Sequence, residues 1–89
     1  MDIIEVNKFI DNDKLFDILD KKIKNKEEVV LDFTKVYMID THFAENNIGK
    51  LFSKYTVDEI SNKIHIKNIH RDDAEILKIA IRRQQKRAT

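Results

Sequence analysis

The run Val29-Val30-Leu31-Asp32-Phe33 constrains this chain more than any other stretch, because all of it but Asp32 is apolar and most of it is β-branched or aromatic. A half-exposed strand would alternate. A near-continuous apolar run reads instead as a strand buried on both faces, at the centre of a small sheet. Beyond Tyr37, Met38 and Ile39 the pattern changes period, and Ala44, Ile48, Leu51, Phe52 and Tyr55 fall on one face at helical spacing. A helix is therefore predicted to begin near Asp40. Asp40 and Thr41 are both residues whose side-chain oxygens accept from the free N–H groups of a first helical turn. The turn between strand and helix then lies at the carboxyl end of a central strand, where open α/β sheets place their sites. The same two residues also serve as an ordinary helix cap.

The flanking sequence supplies the partners of this unit. Ile3, Ile4 and Val6 mark a short strand over Asp2 to Val6. Asp11 and Asn12 can cap a helix whose Leu15, Phe16, Ile18, Leu19 and Ile23 form an apolar stripe, with Lys21, Lys22, Lys24 and Lys26 at the end where cations suit the helix dipole. Thr56 and Glu59 have the spacing of a capping box, which predicts a short extra turn containing Val57 and Ile60. From Lys63 to Lys67, Ile64 and Ile66 alternate with Lys63, His65 and Lys67, the pattern of an edge strand with one wet face. A last helix starts near Asp72 or Asp73 and carries Ala74, Ile76, Leu77, Ala80 and Ile81.

The predicted order is β-α-β-α-β-α, an α/β domain with a mainly parallel sheet. Right-handed crossovers from a central strand put both connecting helices on one face. The core should join Leu31 and Phe33 to Phe16, Leu19, Ile48, Leu51 and Leu77. The opposite sheet face then needs a cover, from a partner protein or a second copy, because so short a chain can hardly build two helix layers. Gly49, the only glycine, falls inside an apolar helix and is read as permitting close approach of helix and sheet.

Eighty-nine residues suit one domain over 1–89. The absence of cysteine excludes a disulfide framework and thiolate metal sites. No apolar run approaches the roughly 18 residues of a membrane span, and Met1-Asp2-Ile3 is no signal peptide, so a soluble, cytoplasmic protein is expected. Seventeen basic and sixteen acidic residues nearly cancel, to +1, which gives no global argument for nucleic acid. Locally, Lys78, Arg82, Arg83, Lys86 and Arg87 make a basic tail without an acid. That tail supports a second reading, an accessory protein touching nucleic-acid phosphates. One glycine and no proline leave no phosphate cradle and assign the turns to Asn and Asp.

Catalytic chemistry finds little support. His42, His65 and His70 lack the i, i+4 spacing of helical metal ligands and read as surface residues. His70-Arg71-Asp72 spells the catalytic-loop tripeptide of protein kinases without the motifs that make it work. No serine sits in a Gly-flanked elbow. Neither an enzyme, a cofactor nor a metal is expected.

The segment LDFTKVYMIDTHFA resembles the central part of STAS domains, the fold of bacterial anti-sigma-factor antagonists, and more closely a small STAS-like family of bacterial and mobile-element proteins. The likeness lies in Val29 to Phe33, Asp40-Thr41-His42, Phe43-Ala44, Gly49-Lys50-Leu51-Phe52 and Lys63 to Asn68. It implies a non-enzymatic regulatory module that docks a protein partner, an ATP-binding kinase-like regulator in the antagonist class, through the turn and helix after the central strand. A homodimer is a further expectation. Asp40, Thr41, His42, Phe43 and Asn46 are the implied partner-binding and switch residues. Thr41 matches the first hydroxyl of the family's phosphoacceptor pair, His42 stands where the phosphorylated serine is common, and Phe43 replaces a small residue.

Overall fold

The structure, a computed structural model, describes the backbone of residues 2–87 and the side chains of residues 2–85. Strand β1 (Asp2–Glu5) pairs with β2 (Val29–Asp32), and β2 pairs with β3 (Ile64–Lys67), all parallel, in the order β1-β2-β3. The apolar run is central. Ile4, Leu31 and Ile66 share one row of the register and Ile3, Val30 and His65 the next, so the two rows face opposite sides of the sheet. Val29, Leu31 and Phe33 are buried, whereas Val30 and Asp32 are half-buried and Ile3 is exposed. The expectation of a strand buried on both faces is thus corrected. The buried side chains of the helices join one core cluster with Val29 and Leu31, and a chain of this length can hardly build a second layer for the other face.

The helices follow the local signals, with three differences. In α1 (Lys14–Lys24), Leu15, Leu19 and Ile23 are buried at successive turns, and the Asn12 side chain accepts from the Lys14 N–H at 3.0 Å. After α1 the Lys26 N–H donates to Ile23 O at 3.1 Å and the Glu27 N–H to Lys22 O at 2.9 Å, the bonds of a Schellman C-cap. Lys26 occupies its left-handed position with φ 57°, and Lys35 (66°) and Met38 (58°) do the same elsewhere. Only Asn68 (59°) among these follows the expectation that turns fall to Asn and Asp.

The second difference is a break. α2 (Thr41–Asn47) stops before Ile48, and the chain continues as a 3₁₀ segment, Gly49–Ser53, where one helix to Tyr55 was predicted. The apolar face survives it, with Ala44, Ile48 and Leu51 buried and Phe52 and Tyr55 half-buried. The third is α3 (Val57–Lys63), a two-turn helix where a short turn was expected, started by the predicted Thr56–Glu59 capping box and running directly into β3.

The last helix, α4 (Arg71–Arg87), lies against α2 and the Gly49–Ser53 segment and buries Asp73, Leu77 and Ala80. A Cβ at Gly49 would stand 3.1 Å from the Ala80 carbonyl oxygen. The close approach read from this glycine is therefore real, but it joins two helical segments and not helix and sheet. The core contains the expected Leu19, Leu31, Phe33, Ile48, Leu51 and Leu77, with Phe16 packed against it.

Candidate functional site

The carboxyl ends of three parallel strands bring three loops to one edge: 6–13 after β1, 33–40 after β2 and 68–70 after β3. The middle loop is the most constrained. Its first turn closes by the Val36 N–H donating to Phe33 O at 3.0 Å, with Lys35 left-handed at the place where such turns usually carry glycine. Val36 and Ile39 then turn inward and are buried, while Tyr37 and Met38 between them are 73% and 86% exposed. A left-handed methionine is uncommon, and it costs conformational energy that its surroundings must offset. The offset comes from α4, where the buried carboxylate of Asp73 accepts from the Ile39 N–H at 2.9 Å. On the outer side the Tyr37 ring stands edge-on to His70, 6.2 Å between centroids. Two large apolar side chains are thus held out into solvent by an anchored backbone.

The anchoring continues into α2. Asp40 is the N-cap, in extended conformation, and its Oδ1 accepts from the Phe43 N–H at 2.7 Å, as its residue type predicts. Thr41 and His42 are exposed on the first turn. The Asn46 side-chain amide reaches His42 Nε2 at 2.9 Å, and that imidazole lies 3.9 Å from Asp13. Phe43 is only 3% exposed. Its ring therefore belongs to the core and forms groove floor, not a displayed contact. Asp40, Thr41, His42 and the half-buried Asn46 remain together around it.

Sequence reasoning overlooked four residues of this region. Tyr37 and Met38 read as the tail of an apolar run, and nothing local reveals that they point outward. Asn47 is fully buried, where its Oδ1 accepts from the Phe16 N–H at 3.2 Å and its Nδ2 donates to Phe43 O at 3.1 Å, coupling α1 to α2. Asp73 is likewise fully buried, with its Oδ2 unpartnered among the described residues. A signal for both existed. Asn47 lies three residues after Ala44 and four before Leu51, and Asp73 four before Leu77, so each polar residue falls on an apolar face.

Asp32 ties the ends of β2 and β3 together. Its Oδ1 accepts from the Thr34 N–H at 3.0 Å, the Thr34 hydroxyl at 2.6 Å and the Asn68 amide at 3.1 Å. These donors, the Thr34 hydroxyl foremost, pull its pKa down to about 2. Two grooves of about 300 Å³ each flank α2's first turn, one between Ile10–Asp13 and His42, the other between Asn7–Asp11 and the 35–40 backbone. Among the described residues no group of three His, Cys, Asp or Glu side chains is arranged to hold a metal ion, and no helix is long and apolar enough to cross a membrane.

The basic tail is less free than its sequence implies. Lys78 pairs with Glu75 at 3.3 Å and Arg83 with Glu45 of α2 at 2.9 Å, while Arg82 is exposed. The side chains of Lys86 and Arg87 lie outside the described residues.

Compared with curated proteins and with solved structures, the chain gives no match. Residues 11–74 match the model of a protein family described as the STAS-like domain of unknown function (DUF4325). That span runs from the loop before α1 to the first turn of α4, and contains β2, the displayed Tyr37 and Met38, α2 and β3. The chain belongs to this STAS-like family.

Proposed function

We propose that the protein is a regulatory module that acts by binding a protein partner and not by catalysis, and that it docks through the 36–40 connector and the first turn of α2. The observation that carries this reading is the outward display of Tyr37 and Met38 on a backbone fixed by Asp73. A backbone held in place before binding loses little conformational entropy on docking, and aromatic residues dominate the energetics of protein interfaces. The resemblance to the antagonist class favours an ATP-binding, kinase-like regulator as partner. Thr41, exposed beside the pair, is where a phosphate would add about −1.5 to −2 charges to a surface that must be desolvated. Contact with nucleic acid through the tail is less well supported, since Lys78 and Arg83 already serve acids of the same chain.

The test compares wild type with Thr41→Glu and with Tyr37→Ser combined with Met38→Ser. Partners captured from the native cell are identified, and their affinities measured by calorimetry. Both variants should keep stability within about 1 kcal/mol, because the altered side chains are exposed, and Thr41→Glu places an acid in a first helical turn. Both should bind at least about tenfold more weakly, about 1.4 kcal/mol. Undiminished affinity in both would remove this surface from the interface. Loss on mutating Arg82 and Arg83 instead, with a steep salt dependence, would favour the nucleic-acid reading.

A further inference from the structure

The side chains around the connector specify the chemistry of what it receives. The two grooves share Ile10, Asp11, Asp40 and Phe43 in their walls and therefore adjoin as two arms of one trough. Its floor is apolar, from Ile10, Val36, Ile39 and Phe43, and Tyr37 and Met38 stand at one side. Its rim is acidic. Asp11 and Asp13 project from the loop before α1 and Asp40 from the cap of α2, against one lysine, Lys35, and the imidazole of His42. Asp40 spends one oxygen on the Phe43 N–H, and Asp13 lies 3.9 Å from His42. Asp11 is exposed and makes no ion pair among the described residues.

Other cations also stand at this edge, since Lys14 opens α1, Lys67 ends β3 and Arg71 opens α4, but none of the three lines the trough. Each helix that follows a strand returns toward the opposite edge of the sheet, which carries Lys21, Lys22 and Lys24 in the last turn of α1 away from the trough, while Arg83 of α4 is taken up by Glu45 of α2. An acidic rim over an apolar floor repels phosphates and attracts cations. Charge at such a rim sets specificity and association rate, while a buried apolar anchor supplies most of the affinity.

We infer that the trough receives a cationic, apolar segment of a partner protein: an apolar side chain seated on Phe43 beside Tyr37 and Met38, with flanking lysine or arginine side chains facing Asp11 and Asp13. The inference rests on the docking reading and adds the partner's chemistry to it.

Two synthetic peptides of equal length and identical Leu and Phe content test it, one flanked by Lys and Arg and the other by Glu, each titrated into the ¹⁵N-labelled full chain. The cationic peptide should move the amide signals of residues 11–13 and 36–43, with an affinity that falls at least about tenfold between about 0.02 M and 0.2 M salt. Asp11→Asn combined with Asp13→Asn should produce a similar loss, and Asp11→Asn alone a smaller one, whereas Glu75→Gln on α4 should have no effect. Folding of the variants is read from the unchanged signals of the core. Equal shifts with the acidic peptide, undiminished binding by the double variant, or shifts confined to α4 would each overturn the inference. So would concentration-dependent shifts at these amides in the free protein, which would make the basic end of a second copy the occupant. If the cationic peptide fails while Tyr37→Ser with Met38→Ser still weakens the native partner, the docking surface stands and its cationic preference falls; if both fail, the docking reading falls as well.

Discussion

Replacing Gly49 by Ala sets two opposed effects against each other at one position. In favour of alanine are helix propensity, about 1 kcal/mol in a helix interior, and the burial of a methyl group, about 0.8 kcal/mol. The first gain is reduced because Gly49 begins a 3₁₀ segment. Against alanine is the space available: the new Cβ would stand 3.1 Å from Ala80 O, 3.3 Å from Ala80 C and 3.4 Å from Ala44 O. Carbon contacts are most favourable nearer 3.5–4.0 Å, and all three neighbours are backbone atoms, which cannot rotate aside. α4 would have to move as a unit by a few tenths of an ångström, loosening Leu77 and Ala80 and pulling on the Asp73 bond to Ile39. Overpacking of this kind costs about 1–3 kcal/mol. The expected balance is a loss of about 1 kcal/mol, a fall in Tm of about 4–8 °C for a domain of this size. Thermal unfolding followed by circular dichroism measures it. A higher Tm for Gly49→Ala would show that α4 yields freely and that the glycine is not there for the crossing.

Phe33→Ala should remove about 3–5 kcal/mol and unfold so small a domain, and a variant that still melts cooperatively near the wild-type temperature would deny Phe33 its place in the core. Asp73→Ala leaves the Ile39 N–H without its acceptor, so stability should fall by about 1–3 kcal/mol. Amide exchange at Ile39 should also accelerate well beyond that of neighbouring core amides, and unchanged exchange would mean that the connector is held by something else. Acid should weaken the fold through Asp20 and Asp32, both held at about 2, the first chiefly by the Tyr55 hydroxyl and then Lys54, the second by Thr34 and Asn68. Because these folded values lie below an unfolded value of about 3.9, their contribution is complete above about pH 4 and disappears as pH falls through about 2. Urea midpoints across that range should therefore decline, less steeply in Tyr55→Phe, and a flat profile would contradict the assignment.

Much of the fold was legible because the deciding interactions span only a few residues. The Asp40 cap reaches Phe43, the capping box joins Thr56 to Glu59, and the apolar stripe of α1 repeats turn by turn, so residue type and spacing suffice. The central strand was legible for a related reason, since Val29, Leu31 and Phe33 can be satisfied only by burial. The turn that leads into α2 follows that strand for the same reason.

What the sequence alone left undecided depends on groups distant along the chain. The end of α2 and the start of the 3₁₀ segment coincide with Gly49, which admits the backbone of Ala80 from α4. Val30 is as apolar as Leu31, yet it faces the open side of the sheet, because which side the helices cover is a property of the whole topology. Arg83 looked like part of an unopposed basic tail until α4 brought it to Glu45. Tyr37 and Met38 are turned outward by a hydrogen bond between Ile39 and a carboxylate 34 residues further on, and no local propensity carries that information. Local sequence determined which elements form and where they start. Tertiary packing decided which side chains those elements spend on the core and which they leave in solvent, because burial is settled only when segments far apart in the chain compete for the same space.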